Sequence, residues 1–182
     1  TSDGSGAISE LTFDQLRRLD FSNGRNGYAR VPIPTLAEVL DLVRGTDKVV
    51  DIELKNSVVR YPGMEEQVDA LVAGFGLADQ VWYSSFNHLS LLHLAELGSP
   101  VARGVLYVEQ LVRPWEYAAG FGAAALPPPA TTVDAGLVEA AHAAGIRVHP
   151  WTVDDPRAIV ALAAAGVDAI ITNVPRVARE AV

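Results

Sequence analysis

From Lys48 onward the chain switches between two periods. Short runs in which apolar and polar residues alternate take turns with longer stretches in which apolar residues recur every three to four positions. The first period is that of a strand and the second that of an amphipathic helix. The runs KVVDIEL, QVWYSSF, VARGVLY, FGAAAL, IRVHPWTV and VDAIIT predict six strands. Between them MEEQVDALVAGF, NHLSLLHLAEL, PWEYAAG, AGLVEAAHAAG and PRAIVALAAAG predict helices, and VPRVAREAV closes the chain as another. Met64, Val68, Leu71, Val72 and Phe75 fall on one helix face. Asp155 before Pro156 reads as an N-cap followed by proline in the first turn, and Asn87 and Asn173 are expected to cap in the same way. The first 35 residues are less regular. TFDQLRRLD carries a short helix with Thr12 and Gln15 spaced as a capping box, FSNGRNGYAR is rich in turn formers, and PTLAEVLDLVRG is a helix capped by Thr35 and Glu38 and stopped at Gly45.

Alternating strands and helices predict a parallel sheet covered by helices. No G-x-G-x-x-G follows any strand, which removes support for a dinucleotide-binding open sheet. A (β/α)8 barrel has eight strands and about 250 residues. Six strands in 182 residues therefore predict an incomplete TIM-type barrel, with about six of the eight units, as a single domain over residues 1–182. The turn-like opening TSDGSG, which begins without Met, reads as a point of entry into the middle of a longer protein.

Composition narrows the chemistry. Nearly half of the residues are hydrophobic, enough for a sizeable core. A formal net charge of −8 argues against nucleic acid as a partner, which needs a basic surface. No apolar run approaches the ~18 residues of a membrane span. With no cysteine, disulfides and thiolate metal sites are excluded and the compartment is left open between cytoplasm and secretion.

In a parallel α/β fold, the C-terminal ends of the strands carry the site. VVDIELK places Asp51, Glu53 and Lys55 on one face and Val50, Ile52 and Leu54 on the other. Helices should cover the apolar face, which turns the charges toward the barrel interior. Three readings fit charge in that position. It can be an internal salt bridge. It can be a site in which Glu53 takes a hard cation and Lys55 a phosphate, with Asp51 in support. It can also be a Schiff-base lysine with Glu53 as proton shuttle. Ser84 and Ser85 end the next strand but lack a nucleophile elbow and read as polar lining or a cap. His88, His93 and His142 read as surface or packed residues, and His149 as an inward packing residue. Trp151 is either an apolar wall for a ligand or core. ALPPPATT is expected to shape the pocket rim.

Five stretches in order, TSDGSGAISELTFDQLRRLDFS, IPTLAEVLDLV, VVDIELK, VWYSSFNHLSLLHL and GIRVHPWTVDDPRAIVALAAAGVDAIITNVP, resemble the glycerophosphodiester phosphodiesterase family along essentially the whole chain. The resemblance implies a TIM barrel. It implies hydrolysis of glycerophosphodiesters to sn-glycerol 3-phosphate and an alcohol, in lipid and glycerol metabolism, with a divalent cation, Ca2+ or Mg2+. It implies that Glu53 is a metal ligand, that Lys55 approaches the phosphate, and that Trp151 and, more weakly, Phe86 line the substrate pocket. That family also carries two catalytic histidines in His-Arg-Gly and His-Asp motifs and two metal carboxylates in a Glu-x-Asp motif. None of these motifs occurs here, and ALPPP stands where many members carry a His-Pro step. The expectation is therefore the C-terminal part of such an enzyme, inactive alone, binding its cation weakly. Its open barrel edges should be covered by the N-terminal segment, by self-association or by a partner chain. The competing reading is a non-catalytic module or pseudoenzyme that binds a phosphoester or a partner.

Overall fold

A computed structural model describes residues 2–28 and 30–182. Thr1 of the turn-like opening and Ala29 of the turn-rich segment lie outside the described residues. The chain forms two compact units, residues 1–44 and 45–182.

The first unit holds α1 (Phe13–Arg17) and α2 (Leu36–Val43). Both capping boxes form. The Thr12 hydroxyl accepts from the Gln15 N–H while Gln15 Oε1 accepts from the Thr12 N–H, and Thr35 and Glu38 repeat the exchange. Asp20 organises the turn-rich stretch. Its carboxylate accepts from the N–H groups of Ser22 and Val31 and from the Ser22 hydroxyl, and these bonds hold its pKa below the ordinary carboxylate range.

The second unit is a parallel sheet in the order β1 (Val50–Glu53), β2 (Val81–Ser85), β3 (Ala102–Val105), β4 (Ala125–Leu126), β5 (Arg147–Val148). Between and after the strands run α3 (Met64–Phe75), α4 (His88–Glu96), α5 (Pro114–Ala119), α6 (Ala135–Ala143), α7 (Pro156–Ala164) and α8 (Pro175–Ala181). Each strand pairs with the next one in sequence. A doubly wound sheet reverses its strand order at a switch point; an arc whose order never reverses is a barrel wall, as the sequence predicts. The outward residues Val81, Tyr83, Val105 and Val148 are fully buried, as are Val72, Leu91, Leu94, Ala141 and Ile159 on the helices. Toward the end of the chain Val153, Ile159 and Leu162 form a small core against Ile170, Ala178 and Ala181.

Two local expectations change, and one loop gains a partner. VDAIIT is not a regular sixth strand. Asp168 N–H donates to Val148 O and Ile171 N–H to Pro150 O, so three residues on one side span two on the other and the ladder loses its even spacing. ALPPPATT is tied into the sheet. Its backbone continues the pairing of β4: Pro128 O accepts from Trp151 N–H, and Ala130 N–H donates to Trp151 O. Proline lacks a donor but keeps an acceptor, which is all that this side of the ladder uses at residue 128. Finally, Asn87 makes no side-chain cap, and α8 starts after Val174. The two asparagines bond elsewhere, Asn87 to Asn56 and Ser90 and Asn173 to Asp154. Asp155 does cap α7, accepting from the Ala158 N–H.

Candidate functional site

At the C-terminal end of β1 the charged side chains meet a pocket of ≈ 340 Å³ lined by Glu53, Lys55, Val58, Tyr61 and Phe86 among others. Glu53 sits opposite Ser84 in the parallel register, which brings the ends of β1 and β2 side by side and puts Phe86 across from Lys55. Glu53 Oε2 lies 2.5 Å from Lys55 Nζ, so the salt bridge that the strand pattern allows is present. With the lysine 75% and the glutamate 30% exposed, the pair contributes little to stability, on the order of 0–1 kcal/mol. The Schiff-base alternative needs a lysine desolvated in an apolar pocket; Lys55 is open to water and ion-paired.

Trp151 joins this mouth through Phe86. The two rings pack edge to face at 5.6 Å and 89°, and Trp151 Nε1–H donates to Pro127 O at 2.8 Å. Its indole is thereby fixed from the β4 side while Phe86, 39% exposed, lines the pocket. The four residues that the sequence picks out are thus brought together, three on the pocket and Trp151 behind Phe86.

Below the mouth the inner face of the arc opens into a cavity of ≈ 420 Å³ whose walls include Asp51, Trp82, Ser84, Arg147, His149 and Asp168. Solvent reaches Asp51 through the open side, yet the surrounding protein limits its hydration. Desolvation raises its carboxyl pKa, the Ser84 hydroxyl opposes this, the Glu53 carboxylate adds to it, and Lys55 opposes it. The His149 and Trp82 rings pack edge to face with centroids 5.2 Å apart. Its pKa is lowered, by burial first, with Arg147 adding and Asp168 opposing.

None of the four histidines lines the mouth. His88 bonds Leu106 O and the Tyr117 hydroxyl, His93 pairs with Glu66, His142 with Asp168, and His149 lies in the inner cavity. Among the described residues no group of three or more Asp, Glu or His is arranged to hold a metal ion. Glu53 supplies one carboxylate at the mouth, which does not by itself make a divalent-cation site with its six or more oxygen ligands.

A cluster behind the mouth escaped the sequence reading. Asn56 and Ser90 are 2% exposed and Asn87 is 7% exposed, and they bond to one another. Their signal in the sequence was a polar residue at each position where a strand hands over to its helix, in LKNS and FNHLS, but nothing in one dimension pairs the two.

An arc of parallel strands with its acidic and basic groups at the C-terminal ends defines a barrel of the TIM class. A family model, the glycerophosphoryl diester phosphodiesterase family, matches residues 1–177, and the chain belongs to that family. It is 35% identical over 176 residues to a glycerophosphodiester phosphodiesterase of Caldanaerobacter subterraneus subsp. tengcongensis, covering 96% of this chain and 72% of that protein. A glycerophosphodiester phosphodiesterase of Bacillus altitudinis is 34% identical over 179 residues, with 96% and 73% covered. Among solved structures, an Oleispira antarctica phosphodiesterase in complex with the product sn-glycerol-3-phosphate superposes with a TM-score of 0.82 at 26% identity, covering 100% of this chain and 74% of that one.

Proposed function

We propose that this chain carries the phosphate-facing and apolar-facing part of a site that hydrolyses glycerophosphodiesters to sn-glycerol 3-phosphate and an alcohol. The observation that carries the reading is the convergence of Glu53, Lys55 and Phe86 on one pocket at the C-terminal mouth of a barrel of this family. A phosphodiester bears negative charge that grows toward the transition state, and the Lys55 ammonium, solvent-exposed beside Glu53, neutralises it. Phe86, backed by Trp151, gives the organic part of the substrate an apolar wall. Glu53 would serve as one ligand of Ca2+ or Mg2+, whose charge would stabilise phosphate oxygens when bound, with Asp51 supporting Glu53 from below. The general acid–base pair and the remaining cation ligands come from outside these 182 residues, since no histidine lines the mouth.

The test has two arms. Lys55→Ala should weaken sn-glycerol 3-phosphate binding at least about tenfold, as expected when a charge-assisted hydrogen bond of ~1.5–3 kcal/mol is removed; unchanged affinity in calorimetric titration would remove Lys55 from the site. Turnover of glycerophosphocholine by the 182-residue chain should be near zero. Turnover that is abolished by EDTA and by Glu53→Gln would show instead that the reaction is complete here. Binding without turnover, even when the chain is extended to the full length of its relatives, would favour the non-catalytic reading. β1 pairs only with β2 among the described strands, and such an edge invites pairing. Self-association or a partner chain across it belongs to the same proposal, and a monomer mass in analytical ultracentrifugation would remove the first.

A further inference from the structure

Five of the six buried polar residues among the described residues, Asn56, Ser84, Ser85, Asn87 and Ser90, cluster at the C-terminal ends of β1 and β2. Burying amides and hydroxyls is costly unless each finds partners. Asn56 Nδ2 donates to Ser90 Oγ at 2.8 Å and to Glu65 Oε1 at 2.9 Å. Asn87 Nδ2 donates to Ser90 Oγ at 2.7 Å and to Asn56 Oδ1 at 3.0 Å. Ser85 Oγ donates to Leu54 O at 2.7 Å and accepts from the Asn87 N–H at 2.9 Å.

The order of these residues is what gives the network a purpose beyond stability. Leu54 and Asn56 bracket Lys55. Ser85 and Asn87 bracket Phe86. Both neighbours of each pocket residue are therefore tied into the same set of bonds, which also reaches α3 through Glu65 and α4 through Ser90. An apolar cluster would hold the two strand ends together, but without directional bonds it would not fix the backbone at Lys55 and Phe86 in one relative setting.

We infer that the Asn56–Asn87–Ser90–Ser85 network is the positioning device of the site, setting Lys55 and Phe86 at the separation that a phosphodiester requires. These are positioning residues and do not touch the substrate. The inference rests on the reading of the mouth as a phosphoester site.

The test uses the whole chain and two measurements by NMR: the cross-ring NOE between Phe86 and Trp151, and the affinity for sn-glycerol 3-phosphate. Asn87→Ala and Ser90→Ala should each remove or strongly weaken the NOE and weaken binding about tenfold, a factor equivalent to ~1.4 kcal/mol. Trp151 is held independently by Pro127 O, so a lost NOE reports movement of Phe86. Ser99→Ala is the control. It withdraws a hydroxyl from Asp69 in a separate cluster with Tyr83 of the same strand, and it should leave the NOE and the affinity at parent values even though it also lowers stability. An intact NOE in both network variants, folded at the temperature of measurement, overturns the inference whatever the ligand does. Lys55→Ala binding as tightly as the parent, with the NOE intact, instead overturns the reading of the site.

Discussion

Asp51, Glu53 and Lys55 share a strand face and have three different environments. Lys55 is three-quarters exposed, Glu53 is ion-paired with it, and Asp51 lies in the wall of the inner cavity. For Asp51 this has a consequence that pH reveals. Its folded-state pKa is raised above the ordinary carboxylate value, so the folded chain binds the proton more readily than the unfolded one. The ionised form then costs stability, fully so above the raised folded value, and the cost disappears as pH falls below the ordinary unfolded value. Asp51→Asn is expected to raise the melting temperature at neutral pH, with the difference from the parent shrinking to nothing in acid. Melting curves of the two proteins across pH 3–8 check this, and a difference that does not change with pH would show that desolvation of Asp51 is not its source. Asp154 behaves in the opposite sense. Bonds from the Asn173 side chain and N–H and from Thr172 lower its pKa, so its contribution is present at neutral pH and is lost as pH falls through the folded value.

At the scale of elements, the signals that were local in sequence came through and those that needed a partner did not. Capping boxes at Thr12 and Thr35, and the Asp155 cap, depend on atoms three residues apart, and all three form. Asn87 looks equally suited to capping, yet its amide is drawn to Asn56 and Ser90, which a second strand end brings within reach. Asp155→Ala should destabilise the chain by about 1 kcal/mol, the usual value of an N-cap, seen as a lower urea midpoint with an unchanged slope. α7 belongs to the small core of Val153, Ile159 and Leu162, so the loss should speed amide exchange there first. The segment 167–172 shows the same limit from the other side. Its β-branched residues fit a strand, but the spacing of its bonds to Val148 and Pro150 is a property of the neighbour.

For the whole molecule, the decisive feature is a strand order that never reverses. It turns five parallel strands into a barrel wall, puts the C-terminal ends of β1 and β2 at a common mouth, and leaves the inner face open to a cavity. Supplying more of the barrel should close that cavity, so a chain extended to the length of its relatives is expected to show lower solvent exposure of Trp82, which lines it, than the 182-residue chain does. Quenching of tryptophan fluorescence by acrylamide, with Trp115 and Trp151 replaced by Phe in both proteins, measures this. Equal quenching would mean that the added residues do not cover the inner face.

By itself the sequence determined the periods of its elements, the caps that lie within one turn, the parallel α/β class, and the face on which Asp51, Glu53 and Lys55 stand, because each of these depends on residues a few positions apart. Only the tertiary structure decided that Phe86 leans on Trp151 65 residues away, that the pocket residues Lys55 and Phe86 are flanked on both sides by one buried polar network, and that no histidine reaches the mouth. Contacts of that kind arise when a parallel register sets strand ends side by side, and a hydrogen bond between two asparagines exists only once both have been carried to the same place.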